Sequence, residues 1–473
     1  MLRGAGASTV AVSLRLYRLD TDAAARVLPR IRACHALRFT MPDTVAGTMS
    51  VTDFTDPLIG TEWWRAAIGL VGLTPPGPGR PITIVDSGVD VAHQEFAGRA
   101  GIVTLNAQEP APIGGVHGTA VASLIGAPAN DVGMVGIYPE ALLQTWDAAL
   151  GAGVNLQVSD IVAGVLAAAK QGPGVINLSL GAGQSELPIQ QAIETAIRKG
   201  VLVVASAGND GLVGNPLSYP ASLPHVLTVA STDEQNRVSI FSSQSRFVDL
   251  AAPGENIMVA TALDNSWAAE AGTSFSSPLV AGAAAWVWTV RPELDASQLF
   301  EVMRRSAVDI AAPGRENATG FGLLNVPAAL AYAAPVADPL EPNDDVDFVT
   351  PDKTFDNGIP PLTTKARPSA TLTGRLTTVE DPRDVYRVFV PARGRITVKT
   401  TAASGTALAL WGQATQTIKE VTPNSDRVAH GTTSKGAINL TYKNPGRATM
   451  LYLAVTLATH VRDATYTIVV AAR

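Results

Sequence analysis

The chain has few of the residues that would assign it to a nucleic-acid-binding or disulfide-rich class. Charged residues make up only 16% of its 473 residues, and 35 basic against 41 acidic residues give a net charge of −6. A mildly acidic chain of this kind carries no electrostatic footprint for nucleic acid. The single cysteine, Cys34, excludes an intramolecular disulfide and a multi-cysteine zinc site.

Long apolar runs are also missing from the sequence. The longest candidate, Pro278 to Val290, is shorter than the roughly 18 residues that a membrane span needs. It is rich in alanine, and we expect a helix buried in a protein core. The apolar share of 46% excludes disorder of the whole chain.

From Pro81 to about Ala334 the sequence shows alternating strand and helix patterns. Apolar segments predict strands at 82–85, 175–180, 201–205 and 226–230, and four-residue spacing of isoleucines predicts a helix over 188–199. Strands that are apolar throughout and separated by helices are typical of a sheet buried on both faces. We therefore expect an α/β fold with a doubly wound, mostly parallel sheet and helices on both faces.

The two flanking regions differ in pattern from this central one. Residues 1–51 form a candidate separate unit, with a strand over 9–19 and a short helix over 21–31. After a polar connector at 338–345, short alternating runs at 385–390, 395–400, 450–457 and 465–470 are separated by turn residues. Such runs predict that 336–473 is an antiparallel β-sandwich with its linker.

Four short segments of the central region carry chemically useful residues. Asp86 ends an apolar strand in Ile84-Val-Asp-Ser-Gly-Val-Asp90, and His117-Gly-Thr119 opens an Ala- and Val-rich helix. Asn209 follows a strand in Ala205-Ser-Ala-Gly-Asn-Asp210, and Ser274 begins a helix in Gly272-Thr-Ser-Phe-Ser-Ser-Pro278. Each segment alone is typical of a turn or a helix cap. Together they supply a nucleophile, a base, an orienting carboxylate and an oxyanion donor.

In the order Asp, His, Ser, these segments resemble the signature blocks of the subtilisin-like serine proteases over about 52–335. The resemblance implies that Ser274 is the nucleophile, His117 the general base and Asp86 the residue that orients the imidazole. It implies that the Asn209 side chain and the Ser274 backbone N–H bind the oxyanion. It further implies two substrate-binding segments, Ser179-Leu180-Gly181 beside the substrate backbone and Ser206-Ala207-Gly208 across the pocket.

The same resemblance implies a structural Ca²⁺ ion and no organic cofactor. Glu95 and Asn130 occupy positions at which the family often binds calcium through oxygen ligands. Phe275 follows the nucleophile, where the family often has Met. Asp210 follows Asn209, and it either favours basic substrate side chains or is a solvated turn residue.

Resemblances also extend to the flanking regions. Residues 1–51 resemble part of an inhibitory propeptide, and 336–473 resembles the bacterial pre-peptidase C-terminal domain through Glu341-Pro-Asn-Asp344, Asp384-Val-Tyr386 and Tyr466-Thr-Ile-Val469. Such domains imply export, and they are often trimmed afterwards. We therefore expect a secreted or extracytoplasmic protein, although no complete signal peptide is visible. Glu341 and Asp344 are either calcium ligands or part of a solvated linker, and we expect the linker.

The sequence thus predicts a serine endopeptidase that hydrolyses extended polypeptides through an acyl-enzyme. Two alternatives stay open. One is a catalytically weak or silent scaffold that binds partners through its C-terminal domain, and the other is an acyl transferase on the same triad. We expect a polypeptide substrate, no nucleic acid, no membrane span and a monomer.

Overall fold

A computed structural model describes residues 8–11, 16–18, 54–97, 99, 101–107, 116–149, 155–262, 264–351, 358–400, 405–418, 426–434 and 437–473. The chain divides into two compact units, Met1–Val51 and Thr52–Arg473. In the first unit, strands β1 (Ser8–Ala11) and β2 (Leu16–Arg18) pair in antiparallel fashion. The prediction of one strand over 9–19 is therefore wrong, because the chain reverses within it. The helix predicted over 21–31 lies outside the described residues.

The second unit contains a seven-stranded sheet in which each neighbouring pair is parallel. Its strands are β3 (Ile82–Asp86), β4 (Ile102–Thr104), β5 (Leu143–Asp147), β6 (Val175–Leu178), β7 (Leu202–Ser206), β8 (Val226–Thr232) and β9 (Leu250–Pro253). The spatial order is β4-β5-β3-β6-β7-β8-β9. A separate hairpin joins β10 (Ile257–Thr261) and β11 (Ser266–Glu270).

Helices cover both faces of this sheet. The helices of the unit are α1 (Trp64–Ala67), α2 (Val116–Gly126), α3 (Val158–Gln171), α4 (Leu187–Arg198), α5 (Thr273–Val290), α6 (Ala296–Arg305), α7 (Val326–Ala331) and α8 (Val346–Val349). Along β7, Leu202 and Val204 pack on one face with α2, α5 and α6, whereas Val203 and Ala205 pack on the other with α3 and α4. This alternation explains why β7 is apolar throughout, and it confirms the predicted α/β architecture.

Helix α5 is the element that the sequence analysis placed in a core. Its residues from Pro278 to Trp288 are all buried. Among the described residues, no helix is both long enough and apolar enough to cross a bilayer.

The C-terminal region contains two antiparallel sheets that enclose a second core. One sheet has the order β12-β20-β14-β18-β17 and the other β13-β19-β15-β16. Their strands are β12 (Ser369–Thr377), β13 (Arg383–Val390), β14 (Arg395–Thr400), β15 (Thr406–Trp411), β16 (Arg427–His430), β17 (Thr432–Ser434), β18 (Ala437–Lys443), β19 (Thr449–Leu457) and β20 (Asp463–Ala472). The sheets agree with the predicted β-sandwich, to which the sequence analysis had assigned four of the nine strands.

The sheet topology fixes where polar residues can gather. The chain moves to one side of β3 to form β4 and β5, and then to the other side to form β6 and β7. In an open parallel sheet, such a reversal leaves a crevice beyond the carboxyl ends of the strands. Asp86 ends β3, Ser179 follows β6 and Ser206 ends β7, so all three lie at this edge.

Candidate active site

Asp86 and His117 form a short hydrogen bond beyond the end of β3. The His117 Nδ1 atom lies 2.8 Å from Asp86 Oδ1 and 3.0 Å from Oδ2. The carboxylate is almost fully buried, whereas 38% of the His117 side chain is exposed. Burial disfavours the charged imidazole, but the Asp86 charge and hydrogen bond outweigh it and raise the pKa of His117 above its ordinary value. The arrangement suits a base that becomes transiently protonated.

Two glycines allow α2 to approach the end of β3 closely enough for this contact. A Cβ atom on Gly118 would lie 2.0 Å from the backbone oxygen of Gly88. Gly88 itself has a φ of +85°, and a Cβ there would meet the Asp147 carboxylate at 2.9 Å. The Gly118 N–H also donates to Ser87 Oγ at 3.2 Å. The small residues in both motifs thus position Asp86 and His117 by letting two backbones touch.

Asn209 contacts the start of α5 at Thr273, the residue before Ser274. The Asn209 Oδ1 atom accepts hydrogen bonds from Thr273 N at 3.0 Å and Thr273 Oγ1 at 2.9 Å. Because its oxygen is engaged in this way, the Nδ2 end of the amide is available to the pocket. Gly272, with a φ of +155°, precedes the helix, and a Cβ there would approach Asn209 Nδ2 at 3.4 Å. Ser274 is half-buried, although its neighbours on both sides are buried.

Ser179 supports α5 with its side chain. Its hydroxyl donates to the Ser274 backbone oxygen at 2.9 Å and bonds to the Ser277 hydroxyl at 2.9 Å. Asn177 Nδ2 donates to the same hydroxyl, also at 2.9 Å. The side chains of Asn177, Thr273 and Ser277 therefore hold the start of α5, a role that the sequence analysis missed. The only sign of this role in the sequence was that each of these polar residues lies within or close to a motif segment.

A pocket of about 280 Å³ adjoins these residues. Of the predicted substrate-binding residues, its lining includes Ser179, Leu180, Gly181, Ser206 and Gly208. Asn209, Asp210 and Ser274 line the same pocket. Ala207 differs, since it is buried in a cluster with Ala230, Val248 and Ala251. The two predicted segments therefore face one space that also holds the predicted nucleophile.

The expected calcium ligands Glu95 and Asn130 lie next to each other, and both are hydrogen-bonded to protein groups. Glu95 Oε2 accepts hydrogen bonds from the Met134 N–H at 3.1 Å and from the Trp267 indole. Asn130 directs its Nδ2 group toward the Glu95 backbone oxygen at 3.3 Å. Glu95 Oε1 is buried without a hydrogen-bond partner. Burial raises the pKa of Glu95 to about 7.

Acidic residues do come together elsewhere, at the start of the sandwich. Asp338, Glu341, Asp381 and Asp384 each offer a carboxylate oxygen within 4.8 Å of the others, and we call them the acidic cluster. Asp344 lies beside it and is only 3% exposed. The solvated linker predicted for Glu341 and Asp344 is therefore wrong, because the side chains of both are buried. The donor set of the acidic cluster fits an oxygen-preferring cation.

Comparisons with known proteins show which families and sequences this chain resembles. The model of the subtilase family matches residues 77–322. Subtilisin Savinase of Lederbergia lenta is 35% identical over 258 residues, which cover 54% of this chain and 92% of that protein. The minor extracellular protease Epr of Bacillus subtilis (strain 168) is 32% identical over 282 residues, which cover 59% of this chain and 42% of that protein.

Solved structures show the same resemblance in the fold. The S41 psychrophilic protease superposes with a TM-score of 0.50 at 27% identity, over 56% of this chain and 98% of that one. The psychrophilic subtilisin-like protease Apa1 from Pseudoalteromonas sp. AS-11 has a TM-score of 0.51 at 21% identity, over 57% of this chain and 97% of that one. The second likeness concerns the fold alone.

Proposed function

We propose the following reaction for this chain, which belongs to the subtilase family and is a serine-type hydrolase: endoproteolysis of extended polypeptides through an acyl-enzyme on Ser274. The observation that carries the proposal is the Asp86–His117 hydrogen bond at 2.8 Å beside a pocket that contains Ser274 and Asn209. In this proposal, the four residues take the roles that the family resemblance implies.

The proposed chemistry begins with proton transfer from Ser274 to His117. As the Ser274 oxygen attacks the substrate carbonyl carbon, His117 takes the hydroxyl proton, and Asp86 stabilises the resulting imidazolium. His117 then returns the proton to the amine, which leaves as the C–N bond breaks. A water molecule, deprotonated by His117, attacks the acyl carbon and releases the acid, and Ser274 recovers its proton.

The proposed oxyanion site uses Asn209 Nδ2 and the backbone N–H of Ser274. Asn209 and Ser274 both line the pocket, and the hydrogen bond from the Thr273 N–H to Asn209 Oδ1 favours one orientation of the amide. Fixed donors of this kind stabilise charge that develops only as the tetrahedral intermediate forms.

We infer a preference for lysine or arginine before the scissile bond. Asp210 is exposed and lines the same pocket as Gly208 and Ser218. A carboxylate there attracts a substrate ammonium or guanidinium group. This supports the first of the two interpretations that the sequence left open for Asp210.

The test is labelling of the purified full chain with a fluorophosphonate, alongside a Ser274→Ala variant. We expect the wild type alone to gain the mass of one label and to release peptides from casein. Circular dichroism spectra of the two proteins should coincide, which excludes misfolding as the cause of any difference. If the wild type stays unlabelled after limited proteolysis of residues 1–51, the proposed nucleophile is wrong.

The two alternative functions gain no support from the site. A silent scaffold does not need the Asp86–His117 pair beside a formed pocket, and acyl transfer would require an amine to replace water. Product masses distinguish these outcomes, because transfer gives ligated or cyclic peptides. We further propose an extracytoplasmic location and a monomeric enzyme. The relative Epr, named as an extracellular protease, supports the location.

A further inference from the structure

Basic residues are concentrated in the sandwich. Positions 385–462 hold ten arginines and lysines against two acidic residues, a net charge of +8, whereas the whole chain carries −6. Among the described residues of 358–379 and 385–462, Asp426 is the only acidic one, and it adjoins β16 of the four-stranded sheet. The net charge of the whole chain therefore conceals a strongly basic region.

Three basic residues stand opposite one another in the five-stranded sheet. Arg395, at the start of β14, pairs with Lys443 at the end of β18. On its other side, the backbone of Arg395 exchanges hydrogen bonds of 2.7 and 2.8 Å with that of Arg473, directly after β20. Residues that are directly opposite in a sheet direct their side chains to the same face, with Cβ atoms about 5 Å apart. Arg473, Arg395 and Lys443 are all exposed, and they form a line that we call the basic row.

Three further arginines flank the basic row. The Arg393 N–H donates to the oxygen of Gly446, the neighbour of Arg447, at 3.0 Å, so the turns before β14 and after β18 meet. On the other side of the row, Arg367 precedes β12, whose start pairs with the end of β20. The three flanking arginines are exposed as well. Six positively charged side chains therefore gather at one end of the sandwich.

These six charges are not balanced within the chain. In the part of the chain that the structure describes, none of the six side chains forms an ion pair. Like charges directly opposite each other destabilise a sheet, so the basic row lowers the stability of the sandwich. An anionic partner outside the chain would supply the missing charge, and it would meet several cations at once.

The basic row lies at the end of the sandwich that is remote from α6 of the catalytic region. Asp463, the first residue of β20, bonds to Arg305 at the end of α6 at 2.6 Å. β20 has ten residues, and at about 3.3 Å per residue Arg473 lies about 30 Å further along the strand. A partner at the basic row therefore does not compete with the contact that joins the sandwich to α6.

The surroundings of the basic row favour a polysaccharide among polymeric anions. Thr397 and Thr441, which are opposite each other and next along the same face, place hydroxyl groups beside the charges. In the described part of the five-stranded sheet, no exposed aromatic side chain offers a platform on which nucleic-acid bases could stack. Val469 is the only exposed large apolar residue described on these strands, which is too little to enter a bilayer.

We propose that the basic row and its flanking arginines bind a linear anionic polysaccharide. Carboxylates along the polymer pair with Arg473, Arg395 and Lys443 in turn, and arginine can meet each carboxylate with two parallel hydrogen bonds. The threonine hydroxyls bond to the sugars between the charges. The polymer thereby holds the catalytic region, at the other end of the sandwich, close to polypeptides in its neighbourhood. Only this last consequence rests on the proposed peptidase function, because binding needs the sandwich alone.

The test uses the full chain carrying Ser274→Ala, which prevents self-digestion, and polygalacturonate as the polymer. Calorimetry at several NaCl concentrations measures the Kd. We expect the logarithm of the association constant to fall linearly with the logarithm of the salt concentration, with a slope of about −2 to −3 for three ion contacts. Methyl-esterified polygalacturonate keeps the sugars but lacks the charges, and it should not bind.

Two matched double variants locate the contact. Arg395→Gln with Lys443→Gln removes two charges of the basic row, and we expect the Kd to rise about 10-fold. The salt slope should become shallower by about 0.8 for each charge removed. Lys170→Gln with Lys199→Gln removes the same net charge from exposed positions of the catalytic region. Salt screens charges beyond about 10 Å, so this second variant should keep the Kd and the slope of the parent chain.

Any of four results would overturn the proposal. The first is that the parent chain does not bind polygalacturonate at low salt, and the second is that it binds the methyl ester equally well. The third is that both double variants weaken binding to the same extent, which would assign the effect to net charge. The fourth is tighter binding to oligothymidylate or to phosphatidylglycerol vesicles than to polygalacturonate, which would make the partner a nucleic acid or a membrane.

The design keeps these results separate from other failures. Removal of opposed like charges relieves repulsion, so the Arg395→Gln and Lys443→Gln variant should unfold at a temperature no lower than the parent chain does. The comparison of polymers needs only the parent chain, and it stands even if a variant fails to fold. None of the measurements depends on the fluorophosphonate result that tests the peptidase proposal.

Discussion

His117 points its Nδ1 atom at both carboxylate oxygens of Asp86, at 2.8 and 3.0 Å. A carboxylate in this position selects the tautomer whose other nitrogen, Nε2, is free to accept a proton. The imidazole also lies against the ring of Phe275, with centroids 6.0 Å apart. This ring contact connects the predicted base to the residue that follows Ser274.

The pH dependence of activity should report the Asp86–His117 pair. Because the base must be neutral, kcat/KM falls as the pH drops through the pKa of His117, which Asp86 raises above 6.5. We expect Asp86→Asn to lower kcat by about 10⁴ and to move the acid limb to lower pH. Glu270→Gln removes a more distant charge and should move the limb slightly with little loss of kcat. An unchanged limb in Asp86→Asn would contradict the assignment.

Asn209→Asp separates the two ends of the Asn209 amide. The variant keeps an oxygen that can accept from Thr273, but it loses the Nδ2 donor. We expect kcat to fall by about 10²–10³, the range for removal of one oxyanion donor in subtilisin, while KM changes little. Steady-state kinetics on a peptide ester measures both constants. A rise in KM at constant kcat would instead assign Asn209 to ground-state substrate binding.

Asp210→Asn tests the preference for basic substrates. Since Asp210 is exposed, its attraction for a substrate cation is screened by water, and we expect a modest effect. The ratio of kcat/KM for lysine over glutamine before the scissile bond should fall about 2- to 5-fold. Asp160→Asn, on helix α3, serves as the matched control. If the ratio is the same in both variants, Asp210 is a solvated turn residue.

Phe275 should protect the enzyme from peroxide. A phenylalanine side chain does not form a sulfoxide, whereas a methionine beside the nucleophile does. We expect the wild type to keep its activity in hydrogen peroxide at a concentration that inactivates Phe275→Met. The remaining methionines are common to both proteins, so the comparison isolates position 275. Rapid loss of activity in the wild type would rule the idea out.

Glu95 should make the protein less stable as the pH rises. Its pKa is about 7 in the folded chain against an ordinary 4.5, so the unfolded state releases the proton first. The free energy of unfolding then falls between those two pH values, by up to about 3 kcal/mol for this group. Glu95→Gln keeps an oxygen acceptor and should flatten this decline. The measurement is urea unfolding at pH 4 to 8 of the Ser274→Ala chain, with and without Glu95→Gln. If the free energies of unfolding of the two proteins change with pH in parallel, the prediction is refuted.

Much of the architecture was readable in the sequence because its signals are local. Strand β7 and helix α4 follow from apolar runs and isoleucine spacing, and the small residues around His117 and Asp86 reflect a backbone contact. The acidic cluster was not predictable in this way. Asp338 and Asp384 are distant in sequence, and local polarity favours solvent exposure for both. Both are buried in the folded chain, where segments distant in sequence come together.

The shared salt bridge at Glu301 limits how far this sandwich can be transplanted. Glu301 and Arg304 belong to the catalytic region, Arg375 comes from the sandwich, and Asp249 holds Arg304 at the edge strand of the catalytic sheet. A foreign sandwich without an equivalent of Arg375 would remove one of the three arginines that pair with the buried Glu301, and we expect the junction to lose stability. Chimeras between this chain and other proteases should therefore exchange positions 249, 301, 304 and 375 together, because these four residues form one network of salt bridges.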